Sequence, residues 1–169
     1  MTKILIFLII LTVYINLNAA EILHYNSGDS SEKVKSLPIS TSARTASKQV
    51  IFSVALSELQ IGEILQIINE FQVTEDNNYN VGFSSLAILA TSPASISGVP
   101  ISEANGENIT NNMHHHKRII NATYVVGESD IGDRYVNIVG YAYSNNALPG
   151  HTLTINQDYG RLSVLRFSP

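Results

Sequence analysis

Apolar and polar positions alternate most clearly in the last third of the chain. From Arg134 to Ser144, the residues Tyr135, Asn137, Val139, Tyr141 and Tyr143 fall on one side, and Val136, Ile138, Gly140 and Ala142 on the other. A two-residue period is that of a strand. After the turn-rich stretch 145–150, the short apolar runs 151–155 and 161–167 flank a Gly-containing segment and predict a hairpin. Upstream, residues 49–56 and 119–126 read as strands, and 81–91 as one long strand or a pair.

Residues 57–73 carry two periods at once. Ile61, Ile64, Leu65, Ile68 and Phe71 have helical spacing, with Ser57 and Gln60 placed as a capping box. Against a helix, Gly62 would cost about 1 kcal/mol relative to Ala. Leu65, Ile67, Phe71 and Val73 also keep a two-residue period, interrupted only by Asn69. The preferred reading is a turn over 60–63 and a strand over 64–73. Residues 74–80 and 127–133 are loops by composition, and 92–112, with two prolines and two glycines, is the longest irregular stretch. Roughly seven or eight strands at regular spacing, with at most one short helix, predict an all-β antiparallel sandwich of jelly-roll or Ig-like type.

The N-terminus has a different pattern. Lys3, an apolar run over 4–15 and a small-residue end at Ala19 and Ala20 have the form of a secretory signal peptide over 1–20. The run is short for a membrane span, and no second one follows. Residues 21–48 are rich in Ser and Thr and read as a mobile arm or edge segment, leaving 49–169 as the sandwich domain. The protein is therefore expected outside the cell, or in the periplasm or on the surface if bacterial.

Composition narrows the function. Charged residues are only 14%, the net charge is −4, and no basic stripe exceeds Lys117-Arg118, which argues against nucleic acid. No cysteine is present, so disulfides, thiolate nucleophiles and thiolate zinc sites are excluded. Serine-hydrolase and phosphate-loop motifs are absent, so the reading leans away from an enzyme and names no catalytic residue. Asn108 and Asn121 begin Asn-x-Thr triplets, which arise readily in a chain so rich in these residues.

Three groups of side chains are candidates for chemistry. His114 and His116 would share one face of a strand, and with His151 or His24 could hold Zn or Cu, although the spacing lacks a second fixed pair. Solvated or packed histidines are the plainer alternative. Glu128, Asp130 and Asp133 cluster oxygen donors suited to Ca, or else form a solvated turn. Tyr141, Tyr143 and Asn137 form a face suited to a glycan or protein partner, or half of a core. The expected protein is a non-catalytic module that binds a glycan or protein, or assembles outside the cell as a homo-oligomer. The alternative is a metal-dependent protein built on the His-x-His pair.

Overall fold

The computed structural model describes residues 21–26, 34–74, 80–109, 116–146 and 150–169. They form nine strands: β1 (Glu21–Asn26), β2 (Val34–Ser40), β3 (Gln49–Leu59), β4 (Ile64–Thr74), β5 (Val81–Ala90), β6 (Val99–Ile109), β7 (His116–Val125), β8 (Gly132–Tyr143) and β9 (Thr152–Phe167). One 3-10 turn, Glu128–Asp130, is the only helical element among the described residues. Residues 1–20, expected to be a signal peptide, lie outside them.

Two sheets face each other. One runs β7-β4-β9, with β1 and the first part of β2 on the far side of β9; the other runs β6-β5-β8, with β3 and the end of β2 beyond β8. β2 joins the sheets. It pairs antiparallel with β9 through Pro38, then parallel with β8 at Ile39 and Ser40. The chain crosses between sheets at most connections, and β5 and β6 alone form a hairpin within one sheet. The nine strands make the all-β, jelly-roll-like architecture that was one of the two sandwich types expected from the alternation.

Alternation places the core. In β4, Leu65, Ile67, Phe71 and Val73 are buried, while Gln66, Ile68, Glu70 and Gln72 are half-exposed. The two-residue period therefore governs residues 64–74, and Gly62 takes φ 85° in the turn before them, where a side chain would be strained. Phe71 of one sheet packs against Phe52 and Phe83 of the other, with ring centroids 5.8 and 6.0 Å apart. Edge-to-face packing of this kind adds specificity to apolar burial.

Three expectations need correction. Residues 151–167 do not form a hairpin: β9 is one strand whose four residues 157–160 stand opposite Phe71 as a bulge, between the pairs Gln72↔Asn156 and Glu70↔Arg161. The extra residues let Leu153 and Ile155 before the bulge, and Leu162 and Val164 after it, all reach the core despite their opposite parity. Asn69, the polar break in the β4 period, is buried there and donates from Nδ2 to the Arg161 carbonyl at 2.8 Å. The stretch 92–112 contains β6, an edge strand that tolerates Pro100 because its outer side needs no partner. Of the stretch 21–48, expected as a mobile arm or edge segment, β1 does form a sheet edge, while Leu37 and Ile39 of β2 are buried in the main core and do not belong to a mobile arm.

Candidate functional site

β8 carries the row of side chains that the sequence marked, and its two halves have different surroundings. Asn137 is fully buried. Its Nδ2 donates to the carbonyls of Ser92 and Ser95, both at 2.9 Å, and its Oδ1 accepts from Ser53 Oγ at 2.7 Å. With both hydrogens and an acceptor position used, Asn137 ties the 91–98 loop onto the sheet and is not part of an open binding face, contrary to its expected role. Val139 is buried beside it with Ile88 and Ala90, in a small apolar cluster on the outer side of the sheet.

Tyr141 and Tyr143 lie further along, at the end where β8 leaves the sheet, and both are half-buried. Their rings stack at 6.4 Å with an interplanar angle of 26°. Tyr143 lies across β5 above its partner Gly82, and a Cβ at Gly82 would stand 2.7 Å from Cε2 and 2.8 Å from the hydroxyl. Glycine is required here for close approach, because any larger residue would push the ring off the strand. Lys48 Nζ stands 5.7 Å from the Tyr141 ring centroid, a cation over an aromatic face.

Beside Tyr143 opens a cleft of about 240 Å3 lined by Asn80, Gly82, Tyr143, Ser144, Asn145 and Asn146. β2 anchors its floor: Ser144 N donates to the Ser40 carbonyl at 2.8 Å, and Ile39 N to the His151 carbonyl at 2.9 Å. The cleft lining offers amide donors and acceptors next to an aromatic ring, with no carboxylate among the described residues that line it. Sequence reasoning found the tyrosines and missed Asn80, Gly82, Asn145 and Asn146. The asparagines flank strand ends, and Gly82 lies in β5, so only the topology brings them together; the Asn-rich composition of both turns was the available signal.

The histidines are described only in part. His114 lies outside the described residues, as does the side chain of His116, whose backbone pairs with Val73. His151 precedes β9 at the same end of the sandwich. Among the described residues no group of three or more His, Asp or Glu side chains is placed to hold a metal.

In the acidic loop, Asp130 is buried and Glu128 and Asp133 are exposed. Asp130 Oδ2 accepts from Tyr124 Oη at 2.6 Å and Gly127 N at 2.9 Å, and Oδ1 from Ser129 Oγ at 3.3 Å. Burial pushes its carboxyl up, but these donors outweigh burial and hold it below the usual value. The Tyr124 phenol is pushed up to about 12, first by burial and then by the bond to Asp130. Asp133 Oδ1 accepts from Glu58 N at 3.1 Å, so the two aspartates serve different parts of the fold.

No protein-family model and no curated protein matches the chain. Among solved structures it is similar to infectious bursal disease virus VP2 as a subviral particle, at 10% identity and TM-score 0.51, covering 88% of this chain and 33% of that one. A structure of the Gx strain of the same virus matches at 10% identity and TM-score 0.50, covering 90% of this chain and 37% of that one. The chain thus spans about a third of the length of the solved chains it matches. The likeness is one of fold: a jelly-roll-like β domain of the kind found in virus-particle proteins.

Proposed function

We propose that this chain is an exported, non-catalytic binding module whose ligand is a glycan, held at the end of the sandwich by Tyr141, Tyr143 and the cleft of Asn80, Asn145 and Asn146. One observation carries the reading: the far end of the Tyr143 ring reaches over Gly82, and the ring stacks on Tyr141 at the lip of a polar cleft. A sugar ring has apolar C–H faces and a rim of hydroxyls. It is met by a fixed aromatic plane together with amides that donate and accept. The tyrosines are set by strand register and the glycine beneath them, so little order has to be gained on binding.

Export is supported by the leader-like segment 1–20. Assembly is supported at a coarser level, because the particle-forming VP2 protein shares the fold. The test of glycan binding uses tyrosine emission, which is unmasked because the chain has no tryptophan. Titration with a panel of neutral and acidic oligosaccharides is expected to change the emission and saturate. Tyr143→Ala is expected to weaken binding at least tenfold while the protein stays folded. A panel that gives no saturable change by emission or calorimetry would remove the glycan reading.

A further inference from the structure

The four lateral edges of the two sheets are protected unequally. β1 has only six residues. β3 breaks its register twice, with Glu58 at φ 50°. β6 also breaks register twice and carries Pro100. Short length, bulges and proline are the usual ways of keeping an edge from pairing with another chain. β7 has none of these: ten residues pair with β4 without a shift and without a proline. Lys117, a basic residue on this strand, pairs with Glu70 across the sheet.

The backbone direction of β7 follows from its end. Val126 N donates to the Glu63 carbonyl, and the Val126 carbonyl accepts from Gly62 N, so the groups of Val126 point inward towards β4. Counting back by two, residues 124, 122 and 120 point the same way, and residues 125, 123, 121 and 119 turn their N–H and C=O outward. Those four residues also have solvent-exposed side chains. Ile119 and Val125 are the most exposed large apolar residues described, at 58% and 61%.

We infer that β7 is a self-pairing edge, joining two copies of this chain antiparallel about a two-fold axis at Ala122. In that register Ile119 faces Val125 of the second copy and Asn121 faces Thr123, and each pair occurs twice. The strand has apolar residues outside and polar residues inside, so it is complementary to its own reverse. An isologous two-fold interface demands this property, and favourable cross-strand pairs stabilise it. The cleft at Tyr143 lies on the other sheet and stays open, so the dimer presents two copies of the proposed binding site.

The chain contains no cysteine, so single introduced cysteines report the register directly. The protein should be made without N-glycosylation, because Asn121-Ala122-Thr123 is an acceptor triplet on this edge. At the axis, Ala122 would face its own copy at a Cα separation of roughly 4.5 Å, which suits a disulfide. Two copies of Asn121 would lie about 8 Å apart, beyond a disulfide's reach. Sedimentation is expected to show a concentration-dependent dimer. Mild oxidation is expected to cross-link Ala122→Cys and leave Asn121→Cys uncross-linked. Thr123→Pro, which removes only an outward N–H, and Ile119→Lys should each give a folded monomer. A monomer at millimolar concentration, a dimer that survives both substitutions while they remain folded, or cross-linking at 121 but not at 122 would overturn the proposal.

Discussion

The two ends of the sandwich are built differently. At one end the connections 60–63, 91–98 and 126–131 are fastened by buried polar groups. Arg166 Nη2 donates to both oxygens of Glu63, at 2.9 and 3.0 Å, while its Nη1 donates to the Ser57 carbonyl; Asn137 holds the 91–98 loop; Asp130 gathers Tyr124, Gly127 and Ser129. At the other end, Asn80, Asn145 and Asn146 line a cleft beside two stacked tyrosines. Buried polar groups that are fully bonded specify structure, whereas polar groups left facing a cleft are available to a ligand. In the proposed function, the fastened end supplies stability and the cleft end recognition.

Substitutions at the fastened end should lower stability and leave saccharide binding intact in the folded fraction. The largest effect is expected for Arg166→Met, which leaves the buried Glu63 carboxylate without its partner and should cost about 3–5 kcal/mol by chemical denaturation. Asn137→Leu removes the acceptor of the Ser53 hydroxyl and the donors to the Ser95 carbonyl and the Ser92 carbonyl, the latter keeping only the Ser95 N–H, at a cost of about 2–3 kcal/mol. Tyr124→Phe removes one bond to a charged acceptor and should cost about 1–2 kcal/mol.

Tyr124 also gives the fastened end a pH signature. Its folded-state pKa of about 12 is raised from the unfolded value of 10.0, so its contribution is complete below pH 10 and disappears as the pH rises towards 12. Asp130 is shifted the other way, so its contribution is present above the ordinary carboxylate range and lost as the pH falls through the lowered folded value. Stability measured against pH should lose the alkaline step in Tyr124→Phe.

The cleft end should behave in the opposite sense. Gly82→Ala places a Cβ against the far end of the Tyr143 ring, which can swing aside, so the expected stability loss is under about 1.5 kcal/mol while binding is lost. This substitution sharpens the contrast because Tyr143 itself is unchanged. Equal losses of stability and binding at both ends would break the division.

How much of this was legible in the sequence varies by element. The period in β4 and β8 identified both strands and the row of tyrosines, because a side chain buried between sheets must repeat every second residue. The same period could not show what covers the outer side of β8, so Asn137 and Tyr143 looked alike although one is sealed and the other open. β6 was hidden because an edge strand tolerates Pro100 and two register breaks. The continuity of β9 was hidden because its bulge has the composition of a turn. The cleft joins Asn80 to Asn145 and Asn146 across the crossing connections of the jelly roll, a contact that sequence spacing does not encode.

The most direct measurement is backbone chemical-shift mapping while an oligosaccharide that binds in the emission titration is added. The changes are expected at Asn80, Gly82, Tyr141, Tyr143, Asn145 and Asn146, with the amides of Glu63, Gly127 and Asp130 unmoved. Changes centred on the fastened end or on the β7 edge, with the cleft residues still, would contradict the account.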